Sequence, residues 1–145
     1  MRSTHTYIYG LLLCLLFTGC GVNNVIRQAD QCFELGEYNE AATLYKKAYA
    51  KTEAKEKEKR AERAFMIGEC YRRINMNAKA MASFRNAIRY NYPDSIVYKH
   101  MADLQLQKGD YKAAIGNYDI YLTYNPTDTT AINGRKACTT APQWK

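Results

Sequence analysis

Residues 61–94, AERAFMIGECYRRINMNAKAMASFRNAIRYNYPD, run directly into residues 95–128, SIVYKHMADLQLQKGDYKAAIGNYDIYLTYNPTD, and the two stretches carry the same landmarks at the same offsets. Each has a turn-type tripeptide, Asn75-Met76-Asn77 or Gly109-Asp110-Tyr111, followed by Ala80 or Ala114, then by the aromatic Phe84 or Tyr118, then by Ala87 or Tyr121. An earlier copy reads Gly36-Glu37-Tyr38, Ala41, Tyr45 and Ala48. The last two turn signatures are 34 residues apart and the first two are 39 apart. Apolar and small residues recur at three-and-four spacing, alternating strand-like runs are missing, and prolines number only three, so the class is all-α. A fixed period repeated in this way means stacked helical units, each burying a face that it cannot bury alone.

The offsets resemble the tetratricopeptide-repeat (TPR) pattern, W-x2-L-G-x2-Y…A-x3-F…P, in which two antiparallel helices pack through small residues and one aromatic knob. Residues 61–94 supply Ile67, Gly68, Tyr71, Ala80 and Phe84, with Pro93 one place late. Residues 95–128 supply Tyr98, Met101, Ala102, Ala114, Tyr118, Tyr121 and Pro126, and depart at Gln105, where an aromatic is usual. Residues 22–55 supply Val25, Ala29, Cys32, Ala41, Tyr45 and Ala48 but lack the closing proline. The resemblance implies an all-α TPR superhelix of three helix-turn-helix repeats plus a C-terminal capping helix, within a TPR domain of residues 25–140. Thr127 to Cys138 opens with capping-type residues and continues with Ala131, Ile132 and Ala137, which reads as that cap, over about residues 128–139. The five extra residues before the second repeat contain no helix breaker. They read as a continuation of the first repeat's second helix, which would splay that repeat from the next.

The start of the chain reads as an address. Arg2 precedes the apolar run Leu11 to Phe17, which is far shorter than the roughly 20 residues of a membrane-spanning helix. Phe17-Thr18-Gly19-Cys20 resembles a bacterial lipobox, with Phe17 in place of the usual leucine. The expectation is a lipoprotein signal over residues 1–19, acylation at Cys20, a tether over residues 20–24 and anchorage at the outer membrane facing the periplasm. Each buried methylene of an acyl chain contributes about 0.8 kcal/mol of membrane affinity, so several chains hold a domain firmly. Residues 141–145, with Trp144, read as a tail or the start of a linker, and Trp144 either packs under the cap or lies loose.

The formal charge is +7. Much of it lies between Lys46 and Arg63, where Lys and Arg alternate with Glu53, Glu56, Glu58 and Glu62 as on a solvated helix face. That stretch carries no recognised nucleic-acid motif, so nucleic acid is not an expected partner. Five cysteines include no CxxC pair and no histidines at metal-ligand spacing, which argues against a metal site. Cys32 and Cys70 fall on apolar helix faces and read as small buried hydrophobes, although a disulfide involving Cys32, Cys70 or Cys138 stays open. His100 has no evident acid–base partner in the sequence. No phosphate loop or nucleophile–base pattern appears, so the chain reads as a binding protein without a cofactor rather than an enzyme.

In the TPR arrangement the first helix of each repeat lines the concave groove. The resemblance therefore assigns partner contact to Asn23, Ile26, Arg27, Asp30 and Phe33 in the first repeat. In the second it assigns Glu62, Phe65, Met66, Glu69, Arg72 and Arg73, and in the third Lys99, His100, Asp103 and Leu106. Phe33, Phe65 and Met66 either meet a ligand or pack between repeats, and Arg72 and Arg73 are either solvated or paired with Glu69. Chaperone-binding TPR domains clamp a peptide carboxylate with Lys, Asn and Arg at places that here carry Ile26, Asp30, Phe65 and Glu69. The acids would repel a carboxylate. The expected ligand is an extended or helical protein segment of mixed charge with apolar anchors. The address and repeats together resemble the start of Bacteroidota envelope lipoproteins in which a TPR module precedes a β-propeller and an OmpA-like domain. That resemblance implies an adaptor of an envelope or secretion assembly, or alternatively a spacer or first domain of a longer peptidoglycan-associated protein.

Overall fold

The computed structural model describes residues 21–140. The expected signal, the Cys20 acylation site and the tail with Trp144 lie outside them. Helix α1 covers residues 21–34, and then follow α2 (Tyr38–Lys51), α3 (Lys57–Arg73), α4 (Asn77–Arg89), α5 (Ile96–Lys108), α6 (Tyr111–Tyr124) and α7 (Thr129–Thr140). Residues 21–24, expected as a tether, are already helical and continue into α1.

The repeat turns share one backbone device. Gly36, Asn75 and Gly109 close the first helix of each repeat with φ of +80°, +58° and +82°, a region open to glycine and tolerated by asparagine. The next residue's N–H reaches back to the helix, from Glu37 to the Cys32 carbonyl at 2.8 Å, Met76 to Tyr71 at 2.9 Å and Asp110 to Gln105 at 2.9 Å. Together with the N–H groups of Gly36, Asn75 and Gly109, which donate to the Phe33, Arg72 and Leu106 carbonyls, these bonds satisfy carbonyls that the helix end leaves bare and turn the chain straight into the second helix.

Three apolar clusters follow, each spanning one repeat and the first helix of the next. Ala29, Ala41, Ala42 and Tyr45 pack with Ile67 and Cys70 of α3. Ala64, Ala80, Phe84 and Ala87 pack with Val97, Met101 and Leu104 of α5. Ala102, Ala114, Tyr118 and Tyr121 pack with Ala131 and Cys138 of α7, which covers the face that the third repeat would otherwise leave open. Cys32, Cys70 and Cys138 are free thiols, and burial pushes the Cys70 thiol up to about 12.

Tyr45, Phe84 and Tyr118 are almost wholly buried at the centre of their clusters. Phe84 sits directly on Gly68, where an added Cβ would come within 2.5 and 2.6 Å of ring carbons. Tyr118 bears in the same way on Gly134 of the cap, whose Cβ would lie 2.6 Å from Cζ. Gln105, the departure from the aromatic pattern, accepts a hydrogen bond from Asn117 Nδ2 at 2.7 Å, which ties α5 to α6 by a polar contact.

The inserted residues do not lengthen α2. That helix stops at Lys51, and Thr52 turns extended with φ −79° and ψ 126°. The Thr52 hydroxyl donates to the Ala48 carbonyl at 2.8 Å and accepts from Arg63 Nη1, while Arg60 Nη1 donates to the Thr52 carbonyl at 2.8 Å. Arg60 and Arg63 lock the reversal, so the extra residues extend the N-terminal end of α3, which has 17 residues against 13 in α5. The expected splay does not follow, because Ile67 and Cys70 still dock on Tyr45. The same clamp corrects the charge reading. Arg63 is buried, and the Arg60 guanidinium lies over Tyr49 at 4.3 Å and Tyr90 at 5.2 Å instead of in solvent.

Gly68→Ala forces Phe84 off its seat and should lower stability by about 1–3 kcal/mol, the usual cost of overpacking a filled core. Gly116→Ala, where nothing lies within 4 Å of the added atom, should instead stabilise α6 by up to about 1 kcal/mol. Urea unfolding followed by circular dichroism distinguishes the two, and equal effects would contradict the knob seat.

Candidate functional site

The central residues of the expected groove come together where α3 and α5 meet. Glu69, near the middle of α3, holds Arg72 by two hydrogen bonds, Nε to Oε1 at 2.8 Å and Nη2 to Oε2 at 2.7 Å. Its Oε1 also lies 3.3 Å from His100 Nε2 of α5. Thus His100, which the sequence leaves without an acid partner, has one across the repeat boundary. Burial alone would push the Glu69 carboxyl up, but the Arg72 hydrogen bonds and the charges of His100, Arg72 and Arg73 hold it below the usual range. Burial lowers His100 from its ordinary 6.5 and outweighs the attraction of Glu69.

Beside this polar group stands an aromatic platform. Phe65 stacks on Tyr92 with ring centroids 4.3 Å apart and planes 9° apart, and Phe84 and His100 lie 5.7 and 6.2 Å from it. Tyr92 was not among the expected contacts. Its signal is an aromatic in the place where the repeat pattern sets proline, just before the displaced Pro93. A hollow of about 450 Å³ opens next to it, lined by Glu58, Lys59, Glu62, Asn91, Tyr92 and Pro93. Glu58 and Lys59 belong to the extra N-terminal turn of α3, so the insertion builds one wall of the hollow.

The remaining expected contacts divide by location. Asp30 and Asp103 accept hydrogen bonds from Tyr45 and Tyr118, both at 2.5 Å. The acids therefore serve the aromatic knobs, and the hydrogen bonds add to desolvation in raising both tyrosines. Phe33 packs edge-on against Tyr38 at 5.3 Å, and Met66 joins the same cluster. Arg73 is exposed, with its guanidinium 5.9 Å from the Tyr38 ring. Arg27 is exposed on α1, beside Asn24. Leu106 packs on the third cluster. Lys99 does not join the group: its Nζ binds Asp128 Oδ2 at 2.7 Å and Thr130 Oγ1 at 2.6 Å, at the start of the cap. That ammonium and the Thr130 hydroxyl hold the Asp128 carboxyl far below the carboxylate range.

The chemistry on offer is recognition. Arg72 and Glu69 neutralise each other, leaving the half-buried Phe65–Tyr92 stack flanked by exposed charges of both signs. Among the described residues, no group of His, Cys, Asp and Glu is arranged to hold a metal ion, and no helix is long and apolar enough to cross a membrane.

Residues 64–95 match the family model for the tetratricopeptide repeat. No curated protein matches the chain significantly. Solved structures do. The C-terminal TPR-containing domain of a Plasmodium falciparum putative FK506-binding protein superposes with TM-score 0.68 at 16% identity, covering 81% of this chain and 85% of that one. The first TPR of Spaghetti (RPAP3), bound to an HSP90 peptide, gives 0.69 at 17% identity, with 81% and 90% covered. The Yersinia enterocolitica type III secretion chaperone SycD, in complex with a peptide of the translocator YopD, gives 0.70 at 13%, with 82% and 92% covered. The fold is an all-α TPR superhelix, three helix-turn-helix repeats closed by a capping helix.

The folded chain holds His100 below 6.5, so on acidification the unfolded chain takes up the proton first and the fold loses stability. The loss begins near the unfolded value and levels off below the folded one. Between about pH 7.5 and about pH 5.5, where carboxylates stay ionised, the melting temperature should therefore fall more for the wild-type chain than for His100→Gln. Parallel shifts in the two proteins would show that folding leaves the proton affinity of His100 unchanged.

Proposed function

We propose that this chain is a lipid-anchored cell-envelope protein that holds a segment of another protein in the groove lined by α1, α3 and α5, as an adaptor in an envelope or secretion assembly. The observation that carries the reading is the Phe65–Tyr92 platform beside a hollow rimmed by Glu58, Lys59 and Glu62. Such a surface fits a segment with an aromatic or aliphatic anchor and charges of both signs. Two proteins of the same fold, SycD and the first TPR of Spaghetti, are bound to peptides, which supports a peptide or protein ligand over a small molecule. The anchor rests on the sequence before residue 21, where the apolar run and Gly19-Cys20 resemble a lipoprotein signal.

Replacing the exposed Glu62 or Arg73 with a photo-crosslinking residue should give an adduct with the same envelope protein from both positions, and none from Lys112 or Lys136 on α6 and α7. Absence of adducts from the groove, or equal adducts from α6, would overturn the groove reading. Labelled palmitate should enter the wild-type chain and be lost in Cys20→Ala; equal labelling would remove the anchor.

A further inference from the structure

The second helices present a different surface, and it carries a slot of its own. Between α2 and α4 lies a cavity of about 310 Å³ lined by Tyr49, Ala64, Ile67, Tyr71, Ala82, Ser83 and Asn86, with Lys46 and Lys79 at the rim. On α3, its floor residues Ala64, Ile67 and Tyr71 recur at three and four. The groove residues Glu58, Glu62, Phe65, Glu69 and Arg72 do the same on a stripe roughly 140° away, at about 100° per residue. The slot therefore opens on the side of α3 away from the groove.

Its chemistry is uneven in an informative way. The walls are largely aromatic and aliphatic, and the slot has room because the α4 residues between Lys79 and Asn86 that line it are the small Ala82 and Ser83. The Ser83 hydroxyl is engaged with the Lys79 carbonyl at 2.9 Å, whereas the Asn86 amide makes no hydrogen bond to the described residues. No acid lines the slot. Helix α4 carries Lys79, Arg85 and Arg89 and no acid at all, and α2 carries Lys46, Lys47 and Lys51 after its single Glu40. None of these six cations takes part in an ion pair among the described residues. Such unpaired charge raises the local concentration of anionic partners and sets which partner fits.

We infer that this slot is a second docking site, one that takes an acidic peptide segment through a buried apolar side chain, with carboxylates meeting Lys46 and Lys79 and the Asn86 amide free for a peptide carbonyl. The volume stands at the lower end of the range of about 300–1,000 Å³ that encloses a small molecule, which suits one or two anchoring side chains. An anionic bilayer would be drawn to the same lysines but has no use for a concave apolar floor. The site stands independently of the groove.

Fluorescence anisotropy of a labelled peptide Glu-Asp-Leu-Phe-Glu-Asp, titrated with the purified chain, tests it. Saturable binding is expected, weakened at least about tenfold in Lys46→Glu/Lys79→Glu and in Ser83→Leu, which fills the slot. It should also be lost with Glu-Asp-Ser-Ser-Glu-Asp and be unchanged in Arg73→Glu, on the groove side. Far-UV circular dichroism checks folding, and the exposed lysine pair decides the matter if Ser83→Leu loses helicity. Absence of saturable binding, equal binding of the serine peptide, retention by the lysine double variant or by folded Ser83→Leu, or binding only to phosphatidylglycerol vesicles would overturn it.

Discussion

Everything in this fold hangs on an aromatic ring pressed against a small residue. Tyr45, Phe84 and Tyr118 each stand on the second helix of a repeat, at the centre of a cluster that already includes the next repeat's first helix. The ring joins neighbours as well as the two helices of its own hairpin. Close approach requires Ala29, Gly68 and Ala102 in the facing helices, all wholly or almost wholly buried. Because cores are filled to crystal-like density, the ring leaves no slack for a second methyl group. Stability then passes from one repeat to the next through these contacts, and α7 ends the series by offering Gly134 and Cys138 to Tyr118.

The hydroxyl on that ring decides what the acid opposite it can do. Asp30 and Tyr45 are 15 residues apart, as are Asp103 and Tyr118, and each pair is hydrogen-bonded. Glu69 and Phe84 keep the spacing, but Phe84 has no hydroxyl to give. The longer acid turns instead to Arg72 on its own helix and to His100 on α5. One missing oxygen thus moves a carboxylate from a contact within its repeat to one between repeats. Buried carboxylates need partners, and this one finds cationic or titratable ones.

Much of the architecture was legible because backbone geometry and ring packing demand particular residue types at fixed offsets. Gly36, Asn75 and Gly109 mark the left-handed turn positions, and the alanines and aromatics mark the buried seam. What the sequence concealed depends on tertiary approach. Lysine, glutamate and alanine between residues 51 and 61 have good helix propensity, so nothing local stops α2. The stop comes from Arg60 and Arg63 reaching back to Thr52 from the next helix. Those arginines look solvated for the same reason, since only the chain reversal brings Tyr49 and Tyr90 around Arg60. Of the expected groove contacts, Phe65, Glu69, Arg72 and His100 do converge, while Lys99 turns to a cap aspartate that lies 29 residues away. Tyr92 escaped notice because it stands outside the helices, in a turn whose path is set by packing.

The features that make a candidate site are the places where the repeats stop being alike. A perfectly repeated solenoid offers the same surface at every step. Here three departures meet in the second repeat: a phenylalanine where its neighbours have tyrosine, five additional residues that lengthen α3, and Tyr92 at the place of the closing proline. The first frees Glu69 to bridge toward α5, the second raises a wall of Glu58 and Lys59, and the third lays a ring on Phe65. The same repeat supplies α4, whose small residues and unopposed cations border the outer slot. Because the second repeat is buttressed on both sides, its surface can depart from the pattern while the first and third keep the aromatic seam intact. The symmetric parts carry the stability, and the asymmetric middle is left to carry recognition.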